Sequence, residues 1–187
     1  MRRMRRIRRD PQHSASFSRR EYARWRLVAK LADLKLTYRL FMQAYPYRHL
    51  DWRPGARLAK PLSEARLAVV TTAAFYRPDQ NPFDQTLRGG DWSYREIPLD
   101  TDLTILKIAH KSDSFDHAGI ERDKNLALPL DRLRELASDG AVGEASHRHF
   151  SFMGSITAPA RLIESSAPEV AAKLRADAVD AVLLTPV

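Results

Sequence analysis

Six histidines are the residues of this 187-residue chain best suited to proton transfer or metal ligation, and it contains no cysteine. His147 and His149 flank Arg148. In a strand, both imidazoles would point to one face, as the first two ligands of a metal site require. Spacing anchors no third ligand beside them, and exposed loop histidines give the same pattern. His110, Asp116 and His117 form a polar group after an apolar segment, the placement of a general acid or base. Ordinary loop polarity accounts for them equally well. In Gly90-Asp-Trp-Ser-Tyr-Arg-Glu-Ile97, Asp91 is placed to cap a turn and Arg95 to clamp a carboxylate. Ser151 brings one hydroxyl to the apolar turn Ser151-Phe-Met-Gly154. Without Cys, the chain as given holds no disulfide, thiolate metal site or Cys nucleophile. There is no G-x-G-x-x-G and no P-loop, and the one double glycine, Gly89-Gly90, leads into Asp-Trp rather than a helix. A nucleotide cofactor of the Rossmann type has no support.

The elements that must position these groups follow from hydrophobic period. Residues 19–45 read as an amphipathic helix, with Leu27, Leu31, Leu34, Tyr38, Phe41 and Tyr45 in one stripe. Residues 46–61, with Pro54-Gly55, read as a linker that stops it. Residues 66–72 are a short apolar run with β-branched members, the pattern of a buried parallel strand, and residues 180–187 repeat it. Residues 94–98 and 104–109 read as further strands, with a loop over 73–91. Residues 129–137 read as a helix with Leu130, Leu133, Leu136 and Ala137 on one face, stopped by Gly140 and Gly143. Residues 158–178 read as another helix, divided at Pro168. Strands alternating with helices predict an α/β domain over 62–187, its sheet mostly parallel with helices on its faces. In such sheets chemistry sits beyond the carboxyl ends of the strands. Here those ends are Thr72, His110, Thr185 and Pro186.

The net charge of +8 is local. Ten arginines against two acids occupy residues 1–26, and the other 161 residues carry 21 basic and 21 acidic groups. Residues 1–18 therefore read as a self-repelling, disordered basic tail. Such a tail binds phosphates without sequence preference, which makes nucleic-acid association a possible but minor role. No apolar run follows its Arg pairs, so it does not read as a secretory signal. The longest stretch free of Asp, Glu, Lys and Arg is residues 149–160, too short to span a bilayer as a helix. A cytoplasmic protein is expected.

Taken in order, several segments resemble one family. They are residues 66–72, Gly90-Asp-Trp-Ser-Tyr-Arg-Glu-Ile-Pro98, Ala109-His110, Asp123-Lys-Asn125, Pro129-Leu-Asp-Arg-Leu133, His149-Phe-Ser-Phe-Met-Gly154, Ala167-Pro-Glu-Val170 and residues 180–187. From about residue 58 to Val187 the chain resembles the selenoprotein B family of glycine, sarcosine, betaine and D-proline reductases, in particular its short stand-alone bacterial members. The resemblance implies reductive C–N cleavage of amino-acid-like or betaine-like amines by a selenol or thiol, with a disulfide/dithiol couple re-reduced by a thioredoxin-like partner. Other reductase-complex subunits are possible partners, and in the larger enzymes a pyruvoyl group on a separate subunit holds the amine. No cofactor is expected in this chain itself.

In that family a selenocysteine, or a Cys in its place, directly follows the Thr-Pro-Val type strand end. The present sequence stops at Val187. Selenocysteine is encoded by UGA, so the expectation is a reading frame cut at its own redox codon, with the walls of a site but not its nucleophile. The resemblance marks Asp91, Tyr94, Arg95, Ser151 and Met153 as site candidates. Strand ends add Thr72, His110, Thr185 and Pro186, with His110 as proton donor to the leaving amine. The rival expectation is an inert binding or assembly module of the same family.

Overall fold

A computed structural model describes residues 55–112 and 117–187, with positions 40, 43 and 44 before them. The basic tail, most of the helix expected over 19–45, and Asp116 lie outside the described residues.

The apolar run Leu67-Ala-Val-Val70 forms β1 (Arg66–Thr71), and the rest of the sheet is built on it. On one side β7 (Ala181–Thr185) runs parallel to it, from Leu67↔Ala181 to Thr71↔Thr185. On the other side two short strands follow one another, β5 (Glu144–Ala145) and β6 (Arg148–Phe152), both parallel to β1. β3 (Tyr94–Pro98) then pairs antiparallel with β6, from Tyr94↔Phe152 to Pro98↔Arg148. The sheet is therefore mixed: parallel around β1 as the sequence implies, antiparallel at the β3 edge. A separate two-stranded ribbon joins β2 (Phe75–Tyr76) to β4 (Lys107–Ile108).

Helices cover both faces. Beneath one face, Val69, Ile97 and Phe75 pack with Leu103, Leu106, Leu128, Leu130 and Leu133. The last two come from α2 (Leu130–Ser138), which follows α1 (His117–Arg122). Against the other face, Phe150, Phe152, Val70 and Tyr94 pack with Leu162, Val170 and Leu174. Val170 and Leu174 lie on α3 (Ala167–Ala176). Each fully buried side chain of this size contributes about 1.5–3 kcal/mol of transfer free energy.

Several local expectations are corrected. Residues 104–109 are not one strand. Asp102 accepts the Thr104 N–H at 2.8 Å and caps a 3-10 turn, Leu103–Ile105, so only Lys107–Ile108 stays extended. Within the expected loop 73–91, Phe75–Tyr76 is a strand. On α2, Leu130 and Leu133 are buried but Leu136 is exposed. Gly140 stops that helix as expected, at φ 71°, with Ala141 N–H on the Leu136 carbonyl. Gly143 has another role. A Cβ there would lie 2.5 Å from the Glu64 carbonyl carbon, so the missing side chain lets two backbones touch. The helix is divided beside Pro168, as expected: a π-helical turn, Leu162–Ser166, gives way to α3, with Pro168 in the first turn of α3. β7 is a strand but not a buried one, for Val182, Leu183 and Leu184 are all exposed. No strand pairs with its outer edge among the described residues. No helix among them is long and apolar enough to cross a membrane.

Candidate functional site at the carboxyl edge of the sheet

The carboxyl ends of β1, β6 and β7 meet at one place. Thr72, the residue after β1, donates its N–H to the Thr185 carbonyl at 3.3 Å. Its own carbonyl is taken by the Gly154 N–H at 2.8 Å. Pro186 has no N–H to offer, so the next ladder contact from β7 comes from Val187. The Val187 N–H finds the Thr72 hydroxyl, at 3.0 Å, instead of the occupied carbonyl. Thr185 anchors the end of β7 through its hydroxyl, which donates to the Ala127 carbonyl at 2.6 Å.

Register sets a row across the sheet beneath this edge: Arg95, Ser151, Thr71 and Thr185 stand opposite one another on β3, β6, β1 and β7. The Thr71 hydroxyl contacts the Thr185 carbonyl at 3.3 Å and accepts the Ala73 N–H. The Ser151 hydroxyl is fully buried with no hydrogen-bond partner among the described residues. Met153, also fully buried, bridges to Ala73 and packs with Ala74, Phe83 and Ala109 under the rim.

His110 reaches the same edge from β4. The preceding Ala109 donates to the Ala74 carbonyl at 3.1 Å, which docks the segment beside the end of β1. His110 is buried, its Nδ1 accepts the Ser112 N–H at 3.1 Å, and its ring lies 6.3 Å from that of His117. Burial first, and the neighbouring His117 second, hold its pKa below the ordinary imidazole value. Gly154 is what lets the ring come so close, because a Cβ there would sit 2.6 Å from His110 Nε2. Sequence reasoning placed Gly154 in a motif but did not single it out. Its signal was a glycine immediately beyond a strand end.

The remaining candidates lie elsewhere or do other work. Asp91 is a turn brace: Oδ2 accepts the Asp84 N–H at 2.8 Å, and Oδ1 accepts both the N–H and the hydroxyl of Ser93. Burial alone would raise its pKa, but these bonds and nearby Arg95 outweigh that and hold it below the usual carboxylate value. Arg95 spends its donors on Asn81, Pro82 and Tyr94 carbonyls and the Ser93 hydroxyl, with its guanidinium 4.2 Å above the Phe83 ring. It clamps the 81–94 loop rather than a carboxylate. Tyr94 points to the opposite face, where its hydroxyl donates to Glu169 and its ring meets Phe150 and Phe152. The structure thus joins Thr72, His110, Thr185, Pro186, Ser151 and Met153 at the carboxyl edge and sets Tyr94 apart.

His147 and His149 do not form a ligand pair. His149 is fully buried and His147 is exposed, 3.7 Å from Asp177. No group of three metal-ligating side chains occurs among the described residues. The motif segments Asp123-Lys-Asn125 and Pro129-Leu-Asp-Arg-Leu133 interlock structurally. Asn125 donates to the Asp131 carboxylate at 2.8 Å and accepts the Asp131 N–H at 3.1 Å, closing the first turn of α2. The edge therefore supplies an imidazole and hydroxyls, with the Met153 thioether buried beneath them, but no thiol.

Comparison with known proteins agrees with this arrangement of motifs. The family described as glycine/sarcosine/betaine reductase selenoprotein B matches residues 7–187. The chain is 31% identical over 134 residues to a protein named D-proline reductase subunit gamma from Acetoanaerobium sticklandii, covering 72% of this chain and 52% of that one. It is 28% identical over 162 residues to a glycine reductase complex component B subunit gamma from Carboxydothermus hydrogenoformans, covering 85% and 35%. With a betaine reductase complex component B subunit beta from Peptoclostridium acidaminophilum it shares 29% over 153 residues, covering 81% and 34%. The chain thus spans about half the length of the first of these relatives and about a third of the others. No solved structure matches it.

Proposed function

Because the chain belongs to the glycine/sarcosine/betaine reductase selenoprotein B family, we propose that it is a component of a selenol- or thiol-dependent reductase that cleaves C–N bonds in amino-acid-like or betaine-like substrates. The observation that carries this reading is the seat of Val187: held through its N–H on the Thr72 hydroxyl at 3.0 Å, it delivers the chain to the carboxyl edge beside His110. A selenocysteine or cysteine placed next in the chain would stand at the point where α/β sheets present their chemistry. A selenolate or thiolate there supplies the nucleophile that the sequence itself lacks.

For a primary amine the balance is simple. The substrate R–NH2, one selenol or thiol and a second thiol give R–H, ammonia and an Se–S or S–S bond. Forming the Se–S or S–S bond releases two electrons and two protons: the carbon takes the two electrons and one proton, and the nitrogen leaves with the C–N bonding pair and the second proton. A thioredoxin-like dithiol returns the bridged pair to its reduced state, a chemistry suited to the cytoplasm. Relatives named as complex subunits support further protein partners, one of which would carry any pyruvoyl group.

The gene tests this directly. The codon after Val187 should be UGA, followed in the same frame by Pro, one residue, Cys and an amphipathic helix. The protein read through that codon should release ammonia or amine from a family substrate with a dithiol donor. A UAA or UAG codon, or a downstream frame without Cys, overturns the reading. The assembly-module alternative is favoured by one observation, the exposed apolar side chains of β7. A stoichiometric partner on purification, without activity, would select it.

A further inference from the structure

The β1 ladder uses one side of β7 and leaves the other open. The Thr185 carbonyl accepts the Thr72 N–H from the β1 side. Backbone groups alternate sides along a strand, so Thr185, Leu183 and Ala181 turn theirs to β1. Val182 and Leu184 turn their N–H and C=O groups outward, where no strand meets them among the described residues. Their side chains share a face with Ala68 and Val70, their partners on β1, while Leu183 lies with Val69 on the other face. All three are exposed, so the edge and both faces of β7 are uncovered apolar surface.

We propose that two copies of this chain pair through β7, antiparallel about a two-fold axis at Leu183, and so join their sheets into one. In that register Val182 stands opposite the partner subunit's Leu184, and Leu184 opposite the partner subunit's Val182. Both pairs are of the hydrogen-bonded kind, in which two residues exchange both N–H···O bonds, and the β1 ladder is left as it is. The neighbouring symmetric registers form fewer bonds. Centred on Leu184, the pairing sets Val182 against Pro186, which has no N–H. Centred on Val182, it sets Leu184 against Asp180, whose N–H is already given to the Arg66 carbonyl at 2.9 Å and whose carboxylate holds the Arg66 N–H and Lys60. No charged side chain lies within Ala181–Thr185 to repel a second copy. The edge is thus complementary to itself, as a two-fold contact requires, and the symmetric register centred on Leu183 is the one that satisfies it. On one face Val182 and Leu184 of both copies form a single apolar cluster. On the other, the Leu183 side chains meet at the axis in a non-hydrogen-bonded pair, where opposed side chains approach closest. The pairing does not depend on the chemistry proposed for the carboxyl edge.

The chain contains no cysteine, so single introduced cysteines report the register. Sedimentation of the 187-residue protein over a concentration series should show monomer and dimer without larger species, because a two-fold contact closes on itself. Under a mild oxidant, Leu183→Cys should cross-link about tenfold faster than Val182→Cys or Leu184→Cys alone, since its Cα atoms would lie about 4.5 Å apart and the others across a diagonal of about 7–8 Å. An equimolar mixture of Val182→Cys and Leu184→Cys should cross-link between the two variants, because those positions stand opposite one another. Val182→Pro, which removes an outward N–H and none of the β1 ladder, should raise the dimer dissociation constant roughly tenfold. A protein monomeric throughout the series, open-ended assemblies, or Val182→Cys alone cross-linking as fast as Leu183→Cys overturns the proposal. A dimer that cross-links through none of these cysteines, alone or mixed, also overturns it, since the contact then lies elsewhere.

Discussion

The Val69 main-chain N–H donates to His149 Nδ1 at 2.9 Å, where a parallel ladder would ordinarily supply a carbonyl. The cause is a mismatch in strand length. β1 advances three residues from Leu67 to Val70 while its partner advances five, from Ala145 to Phe150. The extra residues bulge out, and the His149 side chain fills the gap in the ladder. Neutral, its Nδ1 is an acceptor; protonated, it would turn an N–H on an N–H.

That bond makes stability depend on pH. Burial, assisted by the positive charge of Arg134, lowers the His149 pKa to about 4. An unfolded histidine titrates near 6.5. Between these values the unfolded state binds the extra proton, so the contribution is complete above about pH 6.5 and is lost as pH falls toward 4. The loss is on the order of 3 kcal/mol. His149→Asn, whose side-chain oxygen can accept near the Nδ1 position without titrating, should flatten the stability profile in this window. Denaturant melts at several pH values check this, and parallel slopes for both proteins would refute the assignment.

A second titration comes from Asp177. Arg148 grips it through two bonds, Nε to Oδ2 and Nη2 to Oδ1, with the carboxylate side chain 7% exposed. The Arg148 guanidinium holds the carboxyl below its ordinary value. A depressed carboxylate pKa means stability present above the unfolded value and lost as pH falls through the lower folded one. Asp177→Ala should cost about 2–4 kcal/mol at neutral pH, because Arg148 is left part-buried without this partner. It should also remove part of the acid sensitivity, as equilibrium unfolding below pH 4 will show.

Two helices end in the same hydrogen-bond pattern with different residues at the turning point. After α2, Gly140 has φ 71°; after α3, Ala178 has φ 53°, with Val179 N–H on the Leu174 carbonyl. A left-handed conformation costs an L-residue about 1–2 kcal/mol and glycine little. Ala178→Gly should therefore stabilise the protein by roughly 0.5–1 kcal/mol, offset in part by chain entropy. Gly140→Ala should destabilise by a similar amount, and thermal melts of the pair are the check.

The contrast between these caps marks what the sequence discloses. Gly140 announces its turn because glycine is the usual residue there, whereas Ala178 makes the same turn with no compositional sign. β1 and α2 were legible because Leu67, Val69, Leu130 and Leu133 follow strand and helix periods into the core. β4 was misjudged in length because the Asp102 cap competes with extension over Thr104. The antiparallel β3 depends on long-range pairing that no local pattern encodes. At the site, the strand-end rule gathered Thr72, His110, Thr185 and Pro186. It could not tell that Arg95 and Asp91 are spent on their own loop, or that Gly154 sets the approach of His110. Those facts depend on side-chain direction across strands, not on residue type.

β7 was recognised as a strand from Ala181-Val-Leu-Leu184 but expected to be buried. Its exposure yields the last prediction. An apolar edge strand with unpaired backbone groups is a template for association. Leu184 is 67% exposed, Val182 38% and Leu183 42%, with no charge between them. The opposite edge, β3, is protected by Arg95, Glu96 and Pro98, charges and a proline of the kind that discourage pairing. Self-association of the 187-residue chain should therefore run through β7. Leu184→Lys places a charge on that edge without touching the core, so it should shift the chain toward monomer while changing folding stability by no more than about 0.5 kcal/mol. Glu96→Leu on β3, although it removes an edge charge, should not match the effect of β7, because Pro98 still blocks the ladder there. Light scattering across a concentration series reads both. A wild-type chain that stays monomeric throughout, or a Leu184→Lys variant that associates as strongly as wild type, would show that the exposed edge is not the contact.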